Sequence, residues 1–246
     1  MNNCSVVKKL EIVPGRIGDY EALSHYHYRK TRLGPFVAIF AVKPAGGPKG
    51  CCGVDTAGVI VYTMPSPGLE LRNVATAKIF AGFDRQTRLK LINANIRCIA
   101  RIIIEPRFRS LGLAEKLVRE TMGMLNVPIV EAMAVMGLVN PFFEKAGMTA
   151  YHGPMPARCA ELLEAFSLVG IEEKELIGVR CVQQKLDRLD KAEADFMEGN
   201  IRKFLQSYGK RRYMPTSSER TEFVLSKLGP RPVYYIWFNR KLELRV

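Results

Sequence analysis

The sequence predicts a mixed α/β (α+β) fold, and three observations carry that reading. Ile99–Ile104 is an apolar run interrupted by Arg101; it stops at Glu105-Pro106, and a helical pattern comes next. Pro128 to Met136 is a second apolar run just beyond that helix, which makes a parallel strand–helix–strand unit. The run Val233-Tyr-Tyr-Ile-Trp-Phe238 near the C-terminus is rich in aromatic and β-branched residues and needs a sheet to pair with.

From the N-terminus, Val6 to Val13 is apolar apart from Lys8, Lys9 and Glu11 and reads as a first strand, stopped by Pro14-Gly15. Asp19 is placed to cap a short helix through Tyr20, Ala22, Leu23 and Tyr26, and Leu33-Gly34-Pro35 ends that segment. Phe36–Val42 and Gly58–Met64 read as strands, with a hairpin-like loop after the first at residues 44–48. Adjacent Cys51 and Cys52 read as packing and turn residues. Leu69 to Arg97 is a long connection of mixed charge with helix expected around Gln86–Ile92; connections of this length are more often functional than idle.

In the helix after the central strand, Ala114, Leu117, Val118, Thr121, Met122 and Leu125 share one face. Asn126 and Pro128 end it. A strand from Met148 ends at His152-Gly153, and Pro154 and Pro156 mark a boundary. Beyond it, Arg158–Val169 reads as a helix. Glu172–Leu205 reads as one or two longer helices with Val179, Val182, Leu186, Leu189 and Phe196 on one face. Lys210-Arg211-Arg212-Tyr213 is a basic turn, and Ser217–Leu228 is a helix capped by Ser217 or Ser218. The expected organisation is a main domain over residues 1–155, a helical insertion over 156–230, and a terminal strand in 231–246 that returns to the sheet. The alternative is a self-contained helical tail used for DNA or protein contact.

A hydrophobic fraction of 48% and a charged fraction of 25% are ordinary for a globular chain of 246 residues. No run of eighteen apolar residues exists, and the first residues lack a signal peptide's apolar core, so no membrane span is expected. Six cysteines without a C-x-x-C pair suit a reduced, cytoplasmic setting. The net charge of +13 is uneven. Residues 1–155 carry 20 Lys+Arg against 11 Asp+Glu, residues 156–197 carry 6 against 9, and residues 198–246 carry 11 against 4. Such a balance favours a polyanionic partner such as nucleic acid, DNA or tRNA, and an anionic cofactor alone does not need it. The bland alternative is a solvated basic surface, and no basic-aromatic repeat of the RNP kind decides between them.

Arg109-Ser110-Leu111-Gly112-Leu113-Ala114 opens the helix directly. A Gly-containing turn at a helix N-terminus presents outward N–H groups and the positive end of the dipole, so it suits a phosphate or pyrophosphate. Gly112 lets such a ligand approach the backbone closely. An ordinary strand-to-helix connection is the competing reading. The turn is neither a Walker A loop, lacking Gly-Lys-Ser/Thr, nor the G-x-G-x-x-G fingerprint.

The pattern Arg-x-x-Gly-x-Ala after a strand closing in x-Pro resembles the pyrophosphate loop of the GNAT acyltransferase superfamily. Asn140-Pro141-Phe142-Phe143-Glu144-Lys145-Ala146-Gly147-Met148 is similar to its second signature, a short helix ending in Gly plus an apolar residue. The two stand in the family's order and spacing, and the resemblance covers residues 6–152. It implies a mostly antiparallel central sheet whose one parallel pair splays apart, with acetyl-CoA or another acyl-CoA in the gap. It implies a thioester arm on backbone N–H groups at Ile102, Ile103 and Ile104. The pyrophosphate would lie on Arg109, Ser110, Leu111, Gly112, Leu113, Ala114 and Glu115, with Asn140 and Phe143 beside the cofactor. Two positions depart from the family. Its frequent tyrosine general acid matches Phe143, and its glutamate base matches a position near Cys98; neither side chain can do that work. Residues 25–34, HYHYRKTRLG, also look like the start of GNAT-type domains associated with ABC-type ATPases, and more loosely like phage Mom-type DNA-modifying proteins. No Walker A loop accompanies them.

The catalytic candidates are His25, His27, Tyr28 and Glu131. Amide-forming transfer from a thioester needs a neutral amine, donors for the oxyanion and a proton for the leaving thiolate. Histidine titrates near neutral pH, and the neighbouring Arg29, Lys30 and Arg32 can grip an anionic acceptor. Histidines two residues apart share a face only in a strand, so no metal is expected. A helix end whose basic side chains serve the dipole is the bland reading. Tyr28 or Tyr151 could supply the proton that Phe143 cannot. Glu131, flanked by apolar residues, is either a buried carboxylate of raised pKa or a strand carboxylate paired with an arginine. Glu105 reads as a solvated strand-end residue. Two function classes emerge: an acyl-CoA-dependent N-acyltransferase with a large anionic acceptor such as nucleic acid, in its sharpest form a Mom-like base modification, or a non-catalytic module that holds acyl-CoA or nucleic acid on the same fold.

Overall fold

The computed structural model describes residues 9–27, 33–46, 53–137, 139–229 and 232–245. Contacts divide the chain into one unit of Met1–Gly153 with Pro232–Val246 and a second of Pro154–Arg231. The cysteine pair Cys51-Cys52, Tyr28 and the basic residues from Arg29 to Arg32 lie outside the described residues.

Among the described residues the first unit is built on seven strands: β1 Leu10–Pro14, β2 Phe36–Pro44, β3 Gly58–Thr63, β4 Ile96–Ile104, β5 Ile129–Ala134, β6 Thr149–Tyr151 and β7 Val233–Phe238. Their order is β1-β2-β3-β4-β5-β7-β6. Every neighbouring pair is antiparallel except β4 and β5, so the sheet is mixed and mostly antiparallel, as the resemblance implies. The strand β7 does not lie at an edge. It sits between β5 and β6, pairing Ala132 with Tyr235 on one side and Ala150 with the same Tyr235 on the other. A six-residue run of aromatic and β-branched residues suits a place buried on both sides.

Helices α1 Ile17–Ser24, α2 Glu70–Ala75, α3 Arg85–Asn95, α4 Leu113–Met122 and α5 Phe142–Lys145 complete this unit. Strand alternation gives the sheet two apolar faces. On one, Leu113, Leu117, Val118 and Met122 of α4 pack with Ile60, Tyr62, Val130, Ala132 and Tyr235. On the other, Tyr20 and Leu23 of α1 cover Val59, Val61 and Ile103, while Phe80 and Ile92 cover Ile96, Ile129, Tyr234 and Ile236. Asp19 works from within the first turn of α1: its carboxylate accepts from the Arg16 N–H at 2.8 Å. The connection before β4 holds two helices. Asp84 caps the second by accepting from the Gln86 and Thr87 N–H groups, so α3 begins earlier and ends later than the expected Gln86–Ile92. Glu105 corrects a sequence reading. It is buried, not solvated, because it accepts from the Arg107 backbone at 2.9 Å and from Arg107 Nε at 2.8 Å, closing the 3-10 turn Pro106–Phe108.

The second unit contains α6 Ala157–Leu168, α7 Val179–Leu186, α8 Lys191–Leu205 and α9 Ser218–Leu228. Its core gathers Leu162, Phe166, Val182, Ile201, Phe204 and Val224. Ser217 caps α9 by accepting from the Arg220 N–H at 3.2 Å. Phe196 is not on the buried face of α8. It is 42% exposed, while Met197, Ile201, Phe204 and Leu205 point inward. The apolar stripe of α8 starts one residue later than a continuous stripe from α7 requires, because residues 187–190 break the helix between them.

Glu198 ties this unit together. It accepts from both terminal nitrogens of Arg220 at 2.9 and 2.6 Å and from Arg202 Nε at 2.7 Å. The Arg220 hydrogen bonds, outweighing partial burial, hold its carboxyl at about 2, below the ordinary 4.5. A depressed folded pKa contributes stability that is complete above the unfolded value and lost as pH falls through the folded one. We expect the helical circular dichroism signal to weaken between about pH 4.5 and about 2. The acid midpoint should depend less on this carboxyl in Glu198→Gln, which has no such proton to take up.

Candidate active site

The strands β4 and β5 pair only from Ile96↔Ile129 to Ile99↔Ala132, then part. On its other edge β4 loses register with β3 between Arg101, opposite Val61, and Ile99, opposite Tyr62. Ala100 is therefore an extra residue, a bulge at the point where β4 leaves β5; a bulge bends and twists the strand that carries it. Among the described residues, Ile102 to Ile104 pair with no strand on the β5 side. Their backbone groups on that edge are left for something other than the sheet.

A cleft of about 720 Å³ opens there. Its floor is Ile102, Ile103 and Ile104 of β4, and one end is the turn Arg109–Gly112 with the first turn of α4. Ser110 and Gly112 adopt left-handed backbone, φ +63° and +76°. Gly112 is also the N-cap, and a Cβ there would meet nothing within 4 Å, so the turn faces open space. Hydrogen bonding within α4 begins with the Lys116 N–H on the Gly112 carbonyl at 3.0 Å. The amides of Leu113, Ala114 and Glu115 are therefore not used by the helix. The Arg109 Nε donates to the Ile104 carbonyl at 3.2 Å, which folds the turn back on the strand end. Glu115 pairs with Arg119 one turn along, so its charge is answered on the helix itself.

The sequence pointed to His27 but not to the apolar side chains that share the rest of the lining. Tyr26 and His27 line the cleft too, with Met136, Val139, Phe142 and Lys145. Met136 and Val139 are 56% and 75% exposed, apolar side chains beside a cationic turn. The cleft thus has an apolar stretch along β4 and a cationic end at Arg109, Lys145 and the N-terminus of α4. That layout suits an elongated ligand with an apolar arm and an anionic group.

The structure gathers His27, Ile102–Ile104, Arg109, Ser110, Gly112–Glu115 and Asn140 at one cleft. Other candidates lie elsewhere. Leu111 packs against the main core. Phe143 turns into the core and stacks on Tyr235 at 4.8 Å, so Phe142, and not Phe143, borders the cleft. His25 is exposed, 3.9 Å ring to ring from Tyr26, and does not line the cleft.

Glu131 is fully buried on the sheet face away from α4. Its Oε2 accepts from Arg72 Nε at 2.8 Å and from the Tyr234 hydroxyl at 2.9 Å, and its Oε1 accepts from Arg72 Nη2 at 2.6 Å. Both oxygens are occupied inside the core, and the residue belongs to packing, not to the cleft. Burial works against the Arg72 charge, but the hydrogen bonds and charge of Glu131 outweigh it and hold the guanidinium above its usual range. Burial, with the Glu131 charge second, pushes the neighbouring Cys98 thiol up to about 12, so it stays protonated at neutral pH and is no nucleophile.

No family model matches the sequence, and no curated protein matches it. Among solved structures, the chain is similar to the crystal structure of Arabidopsis thaliana NAA60 in complex with acetyl-CoA. The TM-score is 0.40 and the identity 12%, over 58% of this chain and 86% of that one. Among the described residues no helix is long and apolar enough to cross a membrane.

Proposed function

We propose that this protein is an acyl-CoA-dependent N-acyltransferase of the GNAT type, using acetyl-CoA or another acyl-CoA. The observation that supports it most is the parting of β4 from β5 at Ile99 beside a helix N-terminus whose first amides the helix does not use. A bound acyl-CoA supplies an activated thioester. The unpaired edge of β4 at Ile102–Ile104 aligns the apolar arm, and the amides of Leu113–Glu115 with Arg109 and Lys145 hold the phosphates. The acceptor nitrogen attacks the acyl carbon, the carbon–sulfur bond breaks, and the sulfur keeps the electron pair and takes a proton. In this reading His27, in the cleft lining, receives the amine's proton, and Tyr26 hands a proton to sulfur. Tyr28, expected in that second role, lies outside the described residues.

The acceptor in this reading is an amine on a large anionic molecule, DNA or tRNA, in the sharpest version a base modified as by Mom-type proteins. The net charge of +13 supports it. A cytoplasmic setting belongs to the same reading, since among the described residues Cys98, Cys159 and Cys181 are free thiols. The second reading, a module that holds acyl-CoA or nucleic acid without turnover, is favoured by the protonated Cys98 and the engaged Glu131, neither of which can act as the usual base. Calorimetric titration with acetyl-CoA and with CoA separates these outcomes. Micromolar binding, with thiol released when DNA or tRNA is added, supports the enzyme. Binding without thiol release under any acceptor supports the module. Absence of CoA binding overturns the enzyme and the acyl-CoA module and leaves a nucleic-acid-binding module.

A further inference from the structure

The helical unit carries a cleft of its own, about 600 Å³, lined by Arg202, Gln206, Arg212, Tyr213 and Arg220 around Glu198. Arg220 is 5% exposed, and with Arg202 it shares the single Glu198 carboxylate. Arg212 adds a third cation whose contacts among the described residues are aromatic, not acidic. Its guanidinium lies 4.5 Å over the Tyr213 ring and donates to the Tyr213 hydroxyl. Three guanidiniums against one carboxylate leave excess positive charge. Tyr213 is 73% exposed, so with Arg212 on one face its ring offers the other to a ligand.

An open aromatic face beside guanidiniums in excess of carboxylate recognises a planar ring bearing a phosphate. In a duplex the bases stack on one another and offer no such face; in a single strand they do. We propose that this cleft binds single-stranded nucleic acid, with a base stacked on Tyr213 and flanking phosphates on Arg212 and Arg202. The proposal does not depend on acyl transfer, because it rests on residues of the helical unit alone.

The test is fluorescence anisotropy of the full chain with a labelled oligothymidylate at physiological salt, against a duplex of equal length. The single strand is expected to bind more tightly than the duplex. Tyr213→Ala is expected to weaken it about tenfold, and Tyr213→Phe to retain it, since stacking needs the ring and not the hydroxyl. Arg212→Ala should also weaken binding and lower the slope of log affinity on log salt by roughly 0.7. Lys90→Ala, which removes an exposed charge on α3, should change nothing. Wild-type binding by Tyr213→Ala, or duplex bound as tightly as single strand, overturns the proposal. Thymidine monophosphate competing at the strand's own affinity would make the ligand a free nucleotide and overturn the strand assignment. Acetyl-CoA titration of Tyr213→Ala should match wild type, so failure at this cleft and failure of the acyltransferase reading are read separately.

Discussion

Gly112→Glu is expected to abolish acetyl-CoA binding, weakening it by roughly a hundredfold or more. The N-terminus of α4 attracts an anion through its unused amides and its dipole. A carboxylate planted at the N-cap occupies that field itself and repels a phosphate at contact distance. The backbone also resists the change. Gly112 sits at φ +76°, where an L side chain costs on the order of 1–2 kcal/mol. That cost is bearable, because a Cβ there meets no neighbour within 4 Å. Gly112→Ala isolates the strain. It should lose about 1 kcal/mol in urea unfolding and still bind acetyl-CoA within a few-fold of wild type. Calorimetry on both variants is the measurement. Wild-type binding by the folded glutamate variant would mean that the N-terminus of α4 holds no phosphate.

Arg72→Met should cost about 3–5 kcal/mol, a large part of the stability a domain of this kind has. The reason is not that the Arg72–Glu131 pair is worth so much. Both side chains are essentially out of water, at 1% and 0% exposure, and removing one leaves the other as an unpaired buried charge. Tyr234 donates a single hydrogen bond and cannot neutralise a carboxylate. Changing both partners, Arg72→Met with Glu131→Leu, should recover most of the loss, since two apolar side chains of similar volume need no pairing. Urea unfolding at neutral pH, followed by tryptophan fluorescence, compares the variants; Trp237 on β7 reports on the same sheet. A double variant no more stable than Arg72→Met would show that the pair acts through packing and not through charge.

Position 131 also marks a limit of what local sequence carries. An apolar-flanked glutamate on a buried strand needs a cation, and the sequence offers that much. Its partner lies 59 residues earlier, on a short helix in a connection with little pattern of its own. The same holds at positions 142 and 143. The sequence makes a short helix ending in glycine, but either phenylalanine suits the cleft. The choice falls to Tyr235, from the far end of the chain, whose ring gives Phe143 a stacking partner and leaves Phe142 at the cleft.

What the sequence determined by itself is local. The turn Arg109–Gly112, the helix it opens, the strands on either side and the aromatic strand near the C-terminus arise from residue types within a few positions of one another. A left-handed glycine, a helix dipole and a two- or three-residue alternation need no distant partner. What only the tertiary structure decided is where separate stretches meet. The bulge at Ala100 that parts β4 from β5, the insertion of β7 between β5 and β6, and the arrival of Tyr26 and His27 at the cleft of the anion turn are of this kind. Each depends on which apolar faces can be buried together, a property of the whole packed sheet and of no single segment.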